Sequence, residues 1–260
     1  MRDCQVLRVF TRGEAGGNHL GVVTDVAGLE GAAMQEIAAG FRFSETVFLD
    51  CSRRVPAARI FTPAAEIPFA GHPLVGAGWV LGTMGPCRRV ACGIGEVPFR
   101  TEGDGAWIEV AVSREVEEAP PEALAGAGFP VAARAWMVRL PLRYLLLEVA
   151  TAGAVEAARP DFGRLAAERW EGTLLFARAA GTVKARFFAP ALGVPEDPAT
   201  GSAAVALASA LSFAGEREGS LVIDQGDEVG APSRISLWWS GGTVTVGGTV
   251  CRGDVRVLGR

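Results

Sequence analysis

Three polar residues in this sequence lie where their side chains could exchange a proton with a bound small molecule. The first is Glu45, in Phe43-Ser44-Glu45-Thr46-Val47, where apolar neighbours predict burial. Loss of water raises the pKa of a carboxyl group toward the range that a general acid or base needs. A capping glutamate or an edge-strand glutamate would have the same local sequence, so the structural interpretation stays open at this point.

His72 and Asp197 are the other two candidates. His72 follows Gly71 at the start of an apolar run, and Asp197 lies in a proline-flanked loop ahead of Gly201 and Ser202. The free N–H groups at a helix start attract anions. A structural histidine and a turn-forming aspartate are the alternatives. Taken together, the segments predict an acid, a base and two anion-binding helix starts in one cleft.

Two amides could orient a bound molecule. Asn18, the only asparagine in the chain, follows a Gly-Gly pair, and Gln225 stands in Asp224-Gln225-Gly226. Either side chain would also fit a role in shaping a turn. We predict that both form hydrogen bonds to polar groups of a substrate and so fix its orientation.

The segments that carry these residues form a repeat. Arg59-Ile-Phe-Thr-Pro63, followed by Gly71-His72-Pro73, recurs as Arg186-Phe-Phe-Ala-Pro190, followed by Gly201-Ser202-Ala203, at a spacing of about half of the 260 residues. Each copy reads as a strand, a proline-rich loop, a glycine and a buried helix. Two such halves provide a cleft where the two helix starts face each other.

This pattern predicts an α+β fold with two pseudo-symmetric lobes. Each lobe is expected to be a curved, mostly antiparallel sheet around a central helix. We place the first lobe at residues 1–116 and the second at 117–260, with the C-terminal strand as a candidate to cross between them. The predicted helices are residues 32–41, 72–83, 162–170 and 202–213, and the last two strands are residues 243–246 and 254–258. A dinucleotide-binding Gly-x-Gly-x-x-Gly pattern between a strand and a helix is missing.

Composition excludes several classes of function. A net charge of −4 without a basic run disfavours nucleic acid as a partner. No apolar stretch is long enough for a membrane helix, and the N-terminus does not read as a secretory signal, so we expect a cytoplasmic protein. Five cysteines without Cys-x-x-Cys spacing and only two histidines disfavour a metal site.

The motifs resemble those of the phenazine-biosynthesis PhzF-like family. The matching strings are Gly17-Asn18, Phe43-Ser44-Glu45-Thr46, Gly71-His72-Pro73, Asp197-Pro198-Ala199-Thr200-Gly201-Ser202 and Asp224-Gln225-Gly226. The resemblance implies a diaminopimelate epimerase-like fold, a homodimer, and an isomerase of the trans-2,3-dihydro-3-hydroxyanthranilate type that needs no metal or organic cofactor.

By the same resemblance, Glu45 is the acid and base that moves a proton between two carbon atoms. His72 and Asp197 assist by hydrogen bonding, and the backbone at Gly71, Gly201 and Ser202 holds a substrate carboxylate. Asn18 and Gln225 complete the predicted substrate-binding set.

The sequence also departs from the family pattern. His19 stands where a proline usually follows Gly-Asn, and Ala231 replaces a usual arginine. Epimerases and proline racemases of the same fold use a cysteine from each lobe, but the helix starts here carry His72 and either Thr200 or Ser202, so two-cysteine racemisation is disfavoured. A ligand-binding or regulatory protein without turnover is the alternative hypothesis.

Overall fold

Two central helices, each surrounded by β-strands, form the core of the molecule. The computed structural model describes residues 2–258. Its helices are α1 (Gly31–Phe41), α2 (Gly71–Met84), α3 (Ala152–Ala157), α4 (Phe162–Ala166) and α5 (Gly201–Phe213). Single turns of 3-10 helix occur at Pro190–Leu192 and Asp227–Val229. Because α2 and α5 are the longest helices and lie inside the sheets, they form the centres of the two halves.

Strands make up most of the remaining ordered chain. The first half contains β1 (Arg2–Val9), β2 (Asn18–Val23), β3 (Glu45–Asp50), β4 (Ala57–Phe61), β5 (Glu66–Ile67), β6 (Arg89–Cys92), β7 (Gly95–Glu102) and β8 (Gly105–Ala111). Strand β9 (Glu115–Glu118) ends the first half. The second half contains β10 (Arg134–Arg139), β11 (Arg143–Glu148), β12 (Gly172–Ala179), β13 (Thr182–Ala189), β14 (Val194–Asp197), β15 (Gly219–Gln225), β16 (Ser233–Ser240) and β17 (Thr243–Leu258).

The two halves repeat one pairing scheme. In the first half, β2 runs parallel to β3, β3 antiparallel to β4, and β4 parallel to β6. In the second half, β11, β12, β13 and β15 pair in the same order and with the same directions. Antiparallel strands β6–β7–β8 correspond to β15–β16–β17. The predicted α+β class and the pseudo-symmetry of the lobes are therefore confirmed.

Each half lends its last strand to the other. After β8, the chain forms β9, which pairs with β10 of the second half. The first part of β17 pairs with β16 and β8, and its second part pairs with β1. The lobe division predicted at residue 116 falls inside β9, and this division stays a prediction.

The central helices lie where the apolar runs predicted them. Both α2 and α5 begin at a glycine, one residue before the predicted start. Every residue of α5 from Gly201 to Leu211 is buried. A helix that is apolar all round must be enclosed on all sides, and the two sheets enclose these helices.

Several elements differ from the prediction. The helix expected over residues 162–170 ends at Ala166, and Trp170 instead turns into the core, where its indole N–H donates to Thr173 Oγ1 at 3.0 Å. Helix α3 and strands β9 and β10 were not predicted. The two predicted final strands are one continuous strand, β17. Gly247 lies within it and lets the neighbouring strand approach closely, since a Cβ there would lie 2.2 Å from the Ala106 carbonyl oxygen.

Helix length also bears on membrane insertion. Within residues 2–258, no helix combines the length and the apolar character that crossing a bilayer requires.

Candidate active site

Loops and element ends from both halves bring the three predicted catalytic residues together. Glu45 begins β3, His72 is the second residue of α2, and Asp197 ends β14. Glu45 Oε2 lies 3.2 Å from His72 Nδ1. Asn18 Nδ2 lies 3.4 Å from the same His72 nitrogen and donates to Asp197 Oδ1 at 2.8 Å. The site is therefore a contiguous polar cluster between the two central helices.

Asp197 is held by three side-chain donors. Besides Asn18, Ser44 Oγ donates to Oδ1 at 2.5 Å, and Thr200 Oγ1 donates to Oδ2 at 2.5 Å. The carboxyl group is only 4% exposed. Burial raises its pKa, while the hydrogen bonds from Ser44, Thr200 and Asn18 oppose that increase because they favour the charged form. Both carboxyl oxygens of Asp197 therefore already accept hydrogen bonds from other side chains of the protein.

Glu45 has the opposite arrangement. Its side chain is 15% exposed, and its buried Oε2 accepts no hydrogen bond, although His72 Nδ1 lies 3.2 Å away from it. Burial, and then the nearby charge of Asp197, raise the pKa of Glu45 well above its usual value of 4.5. A carboxyl group that binds a proton tightly and has a free oxygen is suited to exchange that proton with a ligand.

His72 completes the cluster as a neutral imidazole. It is 2% exposed, and its Nε2 is another buried atom without a partner. Burial lowers the pKa of His72 to about 3. At neutral pH the ring therefore carries no charge and can serve as a hydrogen-bond donor or acceptor.

The starts of α2 and α5 meet backbone to backbone. A Cβ on Gly71 would lie 2.5 Å from the carbonyl carbon of Gly201, and one on Gly201 would lie 2.9 Å from the Gly71 Cα. Neither helix start is capped by a side chain. The residue before α2 is Ala70, and the hydroxyl of Thr200, before α5, donates to Asp197 instead. Uncapped N–H groups at adjacent helix starts create a local field that favours an anion.

A cavity adjoins this junction. Its lining residues are Glu45, Thr62, Ile67, Phe69, Ala70, Leu142, Tyr144, Phe187, Ala189, Leu192, Val194, Asp197, Thr200 and Ser202. The lining is apolar apart from two carboxyl groups and a few hydroxyls, and it contains no arginine or lysine. The free space is about 30 Å³, enough for only a few water molecules.

Asn18 and Gln225 contact Asp197 and, like His72, do not line the cavity. Gln225 Nε2 donates to the Asp197 carbonyl oxygen at 2.7 Å and to Thr200 Oγ1 at 3.1 Å. Gln225 Oε1 accepts from the Thr200 N–H at 3.4 Å. These contacts support a positioning role, and the substrate-binding role of both amides stays a prediction.

Three residues of the site were missed by sequence reasoning. Ser44 and Thr200 bind Asp197, and Tyr144 lines the cavity and donates to Ser202 Oγ at 3.2 Å. Ser44 and Thr200 lie within the motifs that carried the prediction. Tyr144 is the only tyrosine in the chain, but nothing in its local sequence indicates the cavity.

Over the described range, 2–258, no three His, Cys, Asp or Glu side chains are grouped closely enough to hold a metal ion.

The sequence matches a known family over nearly its whole length. The model of the family described as phenazine biosynthesis-like protein matches residues 7–250. This chain belongs to that family. It is 33% identical to the trans-2,3-dihydro-3-hydroxyanthranilate isomerase of Pseudomonas aeruginosa, over 88% of this chain and 87% of the relative. For the enzyme of the same name from Pseudomonas chlororaphis, identity is 31%, over 90% and 88%. The protein is accordingly an isomerase of the PhzF type.

Solved structures agree with this assignment. A PhzF-family protein from Enterococcus faecalis has a TM-score of 0.82 at 22% identity, with 99% of both chains covered. A probable proline racemase from Agrobacterium radiobacter has a TM-score of 0.71 at 9% identity, over 100% of this chain and 93% of that chain. The PhzF-type isomerase therefore has the epimerase-like fold predicted from its motifs.

Proposed function

We propose that this PhzF-type isomerase moves a proton between two carbon atoms of a small cyclic carboxylate, of the trans-2,3-dihydro-3-hydroxyanthranilate type, with Glu45 as the acid and base. The observation that carries the proposal is the placement of Glu45. Glu45 lines a cavity that adjoins two uncapped helix starts, and its buried Oε2 has no hydrogen-bond partner. The names of the relatives supply the type of substrate.

The lining supports a ligand with one anionic end and an apolar body. No cationic side chain lines the cavity, so a single carboxylate would bind the N–H groups at the helix starts. Phe69, Leu142 and Phe187 provide apolar surface for a ring. Such a ligand needs more room than about 30 Å³, so the cavity walls must separate when it binds.

The proposed reaction is a proton transfer without net oxidation. The Glu45 carboxylate takes the proton from one carbon as that C–H bond breaks, and the electron pair is spread over the conjugated system. Glu45 then returns the proton to another carbon of that system, where the new C–H bond forms. The raised pKa of Glu45 makes its carboxylate a stronger base than an exposed glutamate.

His72 and Asp197 have supporting roles in this proposal. The free Nε2 of neutral His72 can form a hydrogen bond with a polar group of the substrate. Asp197, fixed by its three donors, keeps its negative charge close to Glu45 and so increases the basicity of Glu45. Charge that develops on the substrate is stabilised by donors already in place.

Solvent exchange tests the proposal. In D2O, the product formed from trans-2,3-dihydro-3-hydroxyanthranilate should carry deuterium at the carbon that is protonated, as seen by NMR, because the carboxyl proton of Glu45 exchanges with solvent between the two transfers. Glu45→Gln keeps the side-chain shape but cannot act as a base, so exchange should slow by about 100-fold or more. Glu109→Gln, on the exposed face of β8, is the matched control and should exchange normally.

Two outcomes would contradict the proposal. Equal exchange by the Glu45→Gln variant would remove Glu45 as the base. Binding of the compound without isomerisation or exchange by the unmodified protein would favour the alternative of a ligand-binding protein without turnover.

A further inference from the structure

The phenol of Tyr144 is a buried polar group for which the proposed reaction has no use. Tyr144 is 3% exposed and lines the same cavity as Glu45 and Asp197. Its only hydrogen bond in the structure is the one that it donates to Ser202 Oγ at 3.2 Å. A buried phenol usually has a defined hydrogen-bonding role.

The surrounding strands hold the Tyr144 ring in one place. Its ring centroid lies 5.8 Å from that of Phe187 on β13. Opposite Tyr144 on β12 is Gly172, where a Cβ would lie 2.9 Å from Tyr144 Cδ1 and 2.3 Å from Phe187 Cζ. The absence of a side chain at residue 172 therefore makes the room in which both rings pack.

The hydrogen bond from Tyr144 also sets the direction of the Ser202 hydroxyl. Ser202 is the second residue of α5 and is 5% exposed. Because its oxygen accepts the proton of Tyr144, its own O–H remains available to donate to another acceptor. Consecutive hydrogen bonds polarise each other, so a Ser202 hydroxyl that accepts from a phenol is a better donor.

We propose that Tyr144 is a positioning residue that orients the Ser202 hydroxyl toward the substrate carboxylate. The inference rests on the proposed function, since that function places a carboxylate at the start of α5. The helix N–H groups alone would bind any small anion there. The pair formed by Tyr144 and Ser202 adds one donor with a fixed direction and so favours a planar carboxylate over a neutral amide.

Ligand binding without turnover tests this pair. The probes are 3-hydroxyanthranilate, an aromatic analogue of the substrate, and its carboxamide, both measured by isothermal titration calorimetry. Ser202→Ala should weaken binding of the carboxylate by about 10-fold and Tyr144→Phe by a smaller factor, because a hydrogen bond to a charged group is lost or misdirected. Binding of the carboxamide should change less than twofold, roughly the scatter of small surface effects.

A double variant shows whether Tyr144 acts through Ser202. In the Ser202→Ala background, Tyr144→Phe should cause no further loss, because the hydroxyl that it orients is already absent. Ser209→Ala is the matched control: it removes another buried hydroxyl of α5, one that donates to the Val205 carbonyl oxygen, and should leave both affinities unchanged.

The outcomes separate this inference from the proposed function. Additive losses in the double variant, or equal losses for acid and amide, would overturn the role of Tyr144 even if solvent exchange is normal. If Tyr144→Phe does not fold, the test depends on Ser202→Ala. An unchanged preference of the Ser202→Ala variant for the carboxylate over the carboxamide would then overturn the inference. If exchange fails but the carboxylate preference behaves as described, the inference stands as a binding property and the proposed reaction does not.

Discussion

At the residue scale, Asp197 and Glu45 show how two buried carboxyl groups are given different properties. Three donors converge on Asp197, whereas one Glu45 oxygen has no partner. Burial raises the pKa of both groups, but the hydrogen bonds on Asp197 oppose the increase there, whereas the nearby charge of Asp197 raises the pKa of Glu45 further. This difference supports the proposed roles of Asp197 as an electrostatic neighbour and of Glu45 as the proton carrier.

The dependence of activity on pH should reflect this coupling. If Glu45 must be ionised to take a proton, activity falls as pH decreases through its raised pKa, above the usual 4.5. Asp197→Asn removes the charge that raises the Glu45 pKa and should move this acidic limb to lower pH. The measurement is kcat/KM against pH for the variant and for Asp104→Asn, an exposed control. A limb that stays in place would show that the Asp197 charge does not act on Glu45.

The buried carboxyl group of Glu45 should also lower the free energy of unfolding of the protein at neutral and higher pH. A carboxyl group whose pKa is higher in the folded protein than in the unfolded chain contributes stability at low pH and loses it as pH rises through the folded-state value. Glu45→Gln should therefore raise Tm at pH 8, by about 2–4 °C if the gain is near 1 kcal/mol, and by less at pH 5. Calorimetry at both pH values, with Glu109→Gln for comparison, checks this. A Tm that does not increase at pH 8 contradicts it.

At the element scale, the decisive feature is the contact between the starts of α2 and α5. The two helices bring their first turns within van der Waals distance only because Gly71 and Gly201 lack a Cβ. The same contact keeps the uncapped N–H groups of both helices next to the cavity. Tight backbone packing and anion binding thus depend on the same two residues.

Substitution of Gly71 by alanine tests this contact. The added Cβ would meet the Gly201 backbone at 2.5 Å, so Gly71→Ala should lower the free energy of unfolding by about 3 kcal/mol and abolish activity. Gly40→Ala is the control, because a Cβ there meets nothing within 4 Å in helix α1. It should stabilise the protein by about 0.5–1 kcal/mol. Urea denaturation measures both, and similar values for the two variants would contradict the argument.

At the scale of the whole molecule, the exchanged strands join the halves. Strand β9 leaves the first half to pair with β10, and the end of β17 leaves the second half to pair with β1. The apolar core that contains α2 also contains α5. Neither half can unfold without exposing backbone groups and apolar surface of the other.

Unfolding should therefore occur in one transition. Tryptophan fluorescence, circular dichroism and calorimetry should report the same midpoint, and a fragment of residues 1–116 should not fold by itself. Two separate transitions, or a folded fragment, would show that the halves are independent. The homodimer implied by the resemblance stays a prediction, and sedimentation equilibrium of the same sample would measure it.

Much of this fold could be predicted because its signals are local. The apolar runs after Gly71 and Gly201 identified both central helices, and the repeated strand-loop-helix segments indicated two similar lobes. The less regular elements were missed. The start of the second lobe, with β10 and α3, carries no strong periodicity, and one long final strand lies where two shorter strands were predicted.

The sequence by itself determined the types of chemical group at the site, since Glu45, His72, Asp197 and Ser202 lie in recognisable motifs next to predicted helix starts. Only the tertiary structure decided their states and their neighbours. Asn18 and Ser44, two of the donors on Asp197, and the Tyr144 hydroxyl that binds Ser202 come from segments that are distant in the chain. A pKa and the direction of a hydrogen bond depend on such neighbours, and local sequence does not specify which residues those neighbours are.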